Sequence, residues 1–455
     1  MTSPDPPAGR REALQTALIL LFSSLVVATC SATQQRPSAP PLPAELLSPP
    51  APALASAAAP PASSLAAPPE LEHVPPPALS SAPPPAADAP LARFHGALAA
   101  LESGQRRSPV RILWLGDSHT AADLWTGEVR RVLQRRYGDG GPGFVHAGWA
   151  KYRHEKARTE VGGSWRTEPG DYARLKRYDD GVQGLGGVRH TPKEPGASAT
   201  VELRGAAGGE YTWDIAYRIP EGAGLEVNVG DEAAKPLPAS AERQTILHHT
   251  AKTTGPHRIR LKATRGRPQL LGVVVEAKKP GLVLDTVGLN GARVGTFLAW
   301  EETSWQGEVA RRKPDLVVLA FGTNESSDPA PRPENYERSA LRLLERLRKA
   351  APEADCLVIT PMDRAGAEFP ARLAAIGEGL TAAARAAGCA TWSALDAMGG
   401  PGGMARWAAE AQPRGGADGI HLTPRGYVSL GESLARYLMP SGGNEAGLPP
   451  GDKPP

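Results

Sequence analysis

The chain has 455 residues, with 51 basic against 48 acidic side chains and a formal net charge of +3. That length leaves room for two or three ordinary domains. The near balance of charge, with no long basic run, excludes the electrostatic footprint of a nucleic-acid binder, so no nucleic-acid partner is expected. Three cysteines without zinc-like spacing, no H-E-x-x-H and no Gly-x-x-x-x-Gly-Lys-Ser/Thr leave metal and nucleotide-phosphate sites unsupported. No metal and no cofactor is expected.

Residues 1–30 read as an export signal. Arg10 and Arg11 precede an apolar run, Ala13–Ala28, that is short for a membrane span. The run ends in Val27, Ala28, Thr29 and Cys30, which resembles a bacterial lipobox with Cys30 as the lipidated residue. Thr29 departs from the small residue usual there, and an ordinary cleaved signal is the alternative. Residues 31–92, almost all Pro, Ala, Ser and Leu from 36 onward, bury little and are expected to form a disordered linker. Residues 441–455 read as a disordered tail.

Strand–helix alternation begins at Val110–Leu115, an apolar run with the length of a buried parallel strand. Gly116, Asp117, Ser118 and His119 follow it, and Leu124–Tyr137 then places apolar side chains at helical spacing. A serine at such a turn is presented at the carboxyl edge of a sheet, where N–H groups of the turn can stabilise an oxyanion. Taken alone, the same residues read as a helix cap. No G-x-S-x-G occurs, which weakens an ordinary α/β-hydrolase elbow.

From 149 to 280 the alternation stops. Short β-like runs at 200–203, 211–219, 225–229, 244–247, 258–261 and 270–276 are separated by turn residues at sandwich-like intervals. Trp213, Ile215 and Tyr217 alternate and are expected in the core of that sandwich. His248 and His249 invite a metal reading, but adjacent strand residues face opposite ways, so exposed polar side chains are expected.

Alternation then resumes, with strands at 316–321, 356–360 and 389–392 and helices at 335–350, 370–387 and after Pro424. Asn324 follows the 316–321 strand, where its amide could donate to an oxyanion. Cys356 and Cys389 open successive strands. An exported protein permits a disulfide, yet neighbouring parallel strands are poor geometry for one, and the pairing stays open. Asp418 stands three residues before His421. An imidazole can take a hydroxyl proton while such a carboxylate holds its opposite nitrogen.

In order, Gly116-Asp117-Ser118, Asn290-Gly291-Ala292, Gly322-Thr323-Asn324-Glu325 and Asp418-x-x-His421 resemble the four blocks of the SGNH (GDSL-type) hydrolase superfamily. The resemblance covers 108–148 and 281–438. The first block departs from the GDSL spelling at His119, and its extension looks most like the peptidoglycan O-acetylesterase branch. The resemblance implies Ser118 as nucleophile and first N–H donor, Gly291 as second donor and the Asn324 amide as third. Gly288 is a second candidate for the block-two glycine. His421 would be the general base, oriented by Asp418.

The implied fold class is α/β: a three-layer, SGNH-type, flavodoxin-like parallel sheet built from 93–148 and 281–440. A carbohydrate-binding-like β-sandwich module, 149–280, would be inserted in it, with Trp149, Trp165 and Tyr178 as possible glycan contacts. The implied activity is a serine esterase removing O-acetyl groups from a cell-envelope glycan, peptidoglycan by resemblance. An O-acetyltransferase and an inactive wall-binding lipoprotein are the alternatives. Expected partners are the acetylated glycan and, through Cys30, a membrane. The expected state is a monomeric outer-membrane lipoprotein facing the periplasm or cell surface.

Overall fold

The structure, a computed structural model, describes residues 90–440 apart from 171–176, 207, 241 and 243–244. The expectations for the export signal, for Cys30, for most of the linker and for the tail lie outside the described residues. In chain order, α1 (Ala92–Glu102), β1 (Val110–Gly116), α2 (Ser118–Ala121), α3 (Trp125–Tyr137) and β2 (Gly143–Val145) come first. Ten strands follow: β3 (Ala157–Gly162), β4 (Trp165–Glu168), β5 (Arg189–Pro192), β6 (Ser198–Leu203), β7 (Tyr211–Arg218), β8 (Gly224–Val229), β9 (Lys235–Pro236), β10 (Leu247–Thr253), β11 (Arg258–Arg265) and β12 (Gln269–Ala277). Then come β13 (Leu282–Gly288), α4 (Glu302–Arg312), β14 (Leu316–Ala320), α5 (Pro333–Ala350), β15 (Asp355–Thr360), α6 (Phe369–Ala387) and β16 (Ala390–Ser393). Three helices close the chain: α7 (Ala394–Ala397), α8 (Gly403–Ala408) and α9 (Pro424–Leu438).

Strands β13, β1, β14, β15 and β16 make one parallel sheet in that spatial order. Both faces are covered, which is why β1 is apolar almost throughout rather than alternating. Ile112 and Trp114 pack with Phe94 and Leu98 of α1, Leu133 of α3 and Leu430 of α9. Leu113 and Leu115 face the other way, onto Val309 of α4, Leu343 of α5 and Ile376 of α6. The result is the three-layer α/β arrangement. Its strand order reverses between β1 and β14, the switch point at which such sheets open a crevice beyond their carboxyl ends.

The strands between α3 and β13 form two antiparallel sheets, β10-β7-β12-β5-β4 and β3-β6-β11-β8-β9. Trp213, Ile215 and Tyr217 are fully buried, as alternation on β7 requires, among Val201, Ile259, Leu261 and Val275. Strand pairing reaches outside 149–280, because β2 pairs with β12. Trp165, which lies in none of the β-like runs read from the sequence, opens β4.

One ionic knot fastens β12 to the parallel sheet. Glu276 accepts from Arg111 of β1 at 2.7 and 2.8 Å and from Arg312 of α4 at 2.7 Å. Arg312 also forks onto Asp285 of β13 at 2.8 and 3.1 Å, and Asp285 accepts the Phe144 N–H of β2 at 2.9 Å. His248 is not the exposed side chain expected: it is a half-buried ion-pair partner, 2.8 Å from Glu308 of α4 and 3.3 Å from Asp214. Burial opposes its charge, but the two carboxylates outweigh that and raise its pKa to about 9.

Cys356 and Cys389 are disulfide-bonded, with Cα atoms 4.8 Å apart. The objection from parallel strands fails because Cys389 stands one residue before β16. The pairing of Leu357 with Ala390 brings the two cysteines level, while the backbone of Cys389 is free of the ladder that would fix its side-chain direction.

Candidate active site

Strand register sets the site. Gly116, the last residue of β1, pairs with Gly288 of β13 and Ala320 of β14, so the turns after all three strands emerge at one edge. Ser118 stands two residues past the end of β1, at the start of α2. Asp117 caps that turn by accepting the His119 N–H at 3.0 Å. Burial raises the Asp117 carboxyl to about 7, opposed by the His119 N–H and reinforced by the charge of Glu325.

After β13 the chain turns at Gly291, whose φ of +81° is a conformation natural to glycine. Gly288 is a packing residue instead, since a Cβ there would meet the Ala121 nitrogen at 2.2 Å. The buried Glu325 ties the turns after β13 and β14 together, accepting from Val294 N at 2.8 Å and Gly322 N at 3.1 Å. Asn324 donates one amide hydrogen to Ala292 O at 2.9 Å, which fixes the amide plane and leaves its second hydrogen. Among the described residues, no backbone carbonyl takes the Ser118 or Gly291 N–H.

His421 arrives from the loop before α9. Its Nε2 lies 2.9 Å from Ser118 Oγ and its Nδ1 lies 2.7 Å from Asp418 Oδ2. The other Asp418 oxygen accepts the N–H groups of Ile420 and His421, both at 2.9 Å. Burial would raise the Asp418 carboxyl, but its bonds to the His421 ring and to these amides hold it below its ordinary range. Asp418 is therefore an anion whose free lone pair faces an imidazole nitrogen. Ser118, Asp418 and His421 make one hydrogen-bonded chain, in the geometry that activates a serine hydroxyl.

His119, which closes the quoted Gly116–His119 turn, and Tyr427 of α9 had no expected role. The buried His119 ring has Nδ1 2.9 Å from Tyr427 Oη and its centroid 5.2 Å from that of His421. Burial, with the nearby His421, lowers its pKa to about 3. A neutral ring there adds no charge to compete with a forming His421 imidazolium. The only sequence signal for it was the departure from the GDSL spelling.

The possible glycan contacts are engaged with other side chains and backbone groups. Trp149 stacks on Tyr152 at 6.0 Å and meets His146 edge-on at 5.0 Å. Trp165 Nε1 donates to Gly162 O at 3.2 Å. Tyr178 donates to Glu168 at 2.7 Å beneath the Arg189 guanidinium.

Residues 250–428 match the model of the GDSL-like lipase/acylhydrolase family. The match takes in Gly291, Asn324, Asp418 and His421 but not Ser118, which the antiparallel strands separate from them. Among solved structures, a peptidoglycan O-acetylesterase is 24% identical with a TM-score of 0.65, over 76% of this chain and 95% of its own. A lipase/acylhydrolase from Enterococcus faecalis is 21% identical over 35% of this chain and 76% of its own, with a TM-score of 0.28. A family two carbohydrate esterase from Cellvibrio japonicus is 13% identical over 62% of this chain and 97% of its own, with a TM-score of 0.27. No curated protein matches the chain. Residues 250–428 thus resemble the GDSL-like lipase/acylhydrolase family, within an SGNH-type α/β fold, and the chain is a carboxylic ester hydrolase.

Proposed function

We propose that this hydrolase is a serine esterase that removes O-acetyl groups from a cell-envelope glycan, with O-acetylated peptidoglycan as its first substrate. The observation that carries the reading is the Ser118–His421–Asp418 hydrogen-bonded chain at the carboxyl edge of the sheet. Ser118 Oγ attacks the acetyl carbonyl while His421 Nε2 takes its proton. The oxyanion is held by the Ser118 and Gly291 N–H groups and the free hydrogen of Asn324. As the tetrahedral species collapses, the sugar oxygen leaves and receives the proton from His421. Water then attacks the acetyl-enzyme by the same route, releasing acetate and restoring Ser118. Asp418 supports the imidazolium in both halves, and the neutral His119 does not oppose it.

The choice of peptidoglycan is supported by likeness to a protein named a peptidoglycan O-acetylesterase along 95% of that chain. The module would supply glycan contacts, Trp149 and Trp165 among them. Export and lipidation at Cys30 would bring the site to the wall. Acetate release from purified O-acetylated peptidoglycan, with acetylated xylan as control, tests the reading. Wild type should release acetate from peptidoglycan and Ser118→Ala should not. An active Ser118→Ala protein would overturn the mechanism.

A further inference from the structure

Among the described residues, two guanidinium groups beside the site are held by neutral partners alone. Arg364, in the loop after β15, donates to the Ser326 and Ser327 hydroxyls at 3.0 and 3.3 Å. Its central carbon lies 3.9 Å from the centre of the Phe369 ring. Arg372 of α6 donates to the Ser326 carbonyl at 3.3 Å and approaches the same ring at 5.7 Å. Ser326 is fully buried, two residues after Asn324. Ala365 N donates to Gly419 O at 2.8 Å, which ties the Arg364 loop to the loop that carries Asp418 and His421. Arg364 therefore sits between two of the four blocks that build the site.

Its surroundings do not suit a merely structural arginine. Burial and the adjacent Arg372 disfavour its charge, while Glu368 and Asp418 favour it through space without pairing with it. A partly desolvated cation bonded to neutral oxygens has given up water for weak replacements. Two such cations side by side repel each other. Pinning two loops would need only one neutral side chain with the same hydrogen bonds. A carboxylate arriving from outside would repay both costs, because guanidinium and carboxylate match as a two-bond fork.

We infer that Arg364, supported by Arg372, binds a carboxylate on the acetylated glycan, so that the site selects an acidic glycan over a neutral one. This rests on the deacetylase reading above and narrows its substrate class. The carboxylate has two possible sources: the sugar itself, or a peptide attached to it.

Four substrates separate these ideas: an O-acetylated muropeptide, the same muropeptide with its carboxylates amidated, the glycan after removal of its peptide, and acetylated xylo-oligosaccharide. Wild type should prefer the free-acid muropeptide over its amidated form by roughly tenfold in kcat/KM, the scale of one charged hydrogen bond. The preference should lie in KM and should shrink at about 0.5 M salt, where screening shortens the reach of charge. Arg364→Ala should erase it, and Arg364→Lys should keep part of it. An Arg364→Ala loss on the peptide-free glycan as large as that on the free-acid muropeptide assigns the carboxylate to the sugar, and no loss there assigns it to the peptide. A wild type without preference or salt dependence would overturn the inference, and that measurement needs no variant. So would an Arg364→Ala protein that loses equally on free-acid and amidated forms. If wild type cleaves p-nitrophenyl acetate but releases no acetate from any of the glycans, the deacetylase reading fails first and takes this inference with it.

Discussion

The Glu276→Gln substitution tests how the antiparallel strands are joined to the catalytic sheet. Glu276 lies on β12, but both its cationic partners, Arg111 and Arg312, belong to the parallel-sheet layers. Burial alone would raise its carboxyl. The hydrogen bond from Arg111 and the charges of Arg312 and Arg111 outweigh burial and hold it down, from 4.5 to about 2. Its side chain is only 17% exposed, so solvent screening is modest. At 1.36 kcal/mol per pKa unit, that displacement contributes about 3 kcal/mol at pH 7. The folded pKa is depressed, so the contribution is present in full above 4.5 and is lost as pH falls toward 2. At pH 3 it should have shrunk to about 1 kcal/mol. Glutamine keeps the shape and removes the charge. Urea unfolding of both proteins should therefore differ by about 3 kcal/mol at pH 7 and about 1 kcal/mol at pH 3. At neutral pH the melting temperature should drop by about 4 °C, because the unfolding entropy scales with the roughly 350 residues of the fold. A loss below about 1 kcal/mol at pH 7, or an equal loss at both pH values, would refute the argument.

The remaining expectations probe the site and its supports. Asn324→Ala should lower kcat on p-nitrophenyl acetate by about 10²–10³, and a change under threefold (about 0.7 kcal/mol) would remove Asn324 from the oxyanion site. Asp123→Ala strips the fully buried Arg130 of its two-bond partner, and chemical denaturation should show a loss of about 3–5 kcal/mol. His248, raised from 6.5 to about 9, should stabilise the fold fully below pH 6.5 and cease to as pH rises through 9. Between pH 7 and pH 10 the melting temperature of wild type should thus fall more than that of His248→Gln. Deleting 155–278 with a short linker should give insoluble protein in expression trials, because it removes Glu276 and uncovers Phe144 and Val145 of β2. A soluble deletion with a cooperative melt would show that the antiparallel strands are dispensable to the catalytic sheet.

The sequence by itself determined the parts that depend on neighbours a few positions away. The apolar run 110–115 and the helical spacing of 124–137 reflect the period of one element each, and they foretold β1 and α3. Alternation at Trp213, Ile215 and Tyr217 likewise settled which face of β7 is buried. The four blocks lent candidate site residues because each is a short turn whose spelling is its geometry. Periodicity carries no information about partners far along the chain. Ser118 and His421 are 303 positions apart, and their hydrogen bond exists only because strand register brings the ends of β1, β13 and β14 to one edge and α9 delivers the last loop to it. The Cys356–Cys389 pair turned on where β16 starts, a boundary no propensity fixes to one residue. His248, Glu276 and Arg364 look like ordinary surface charges when read along the chain. Burial and the partners that arrive from other elements make one an ion-pair cation, one the knot between layers and one an arginine bonded to serine hydroxyls. Electrostatics acts through space, and only the tertiary structure decides which charges meet.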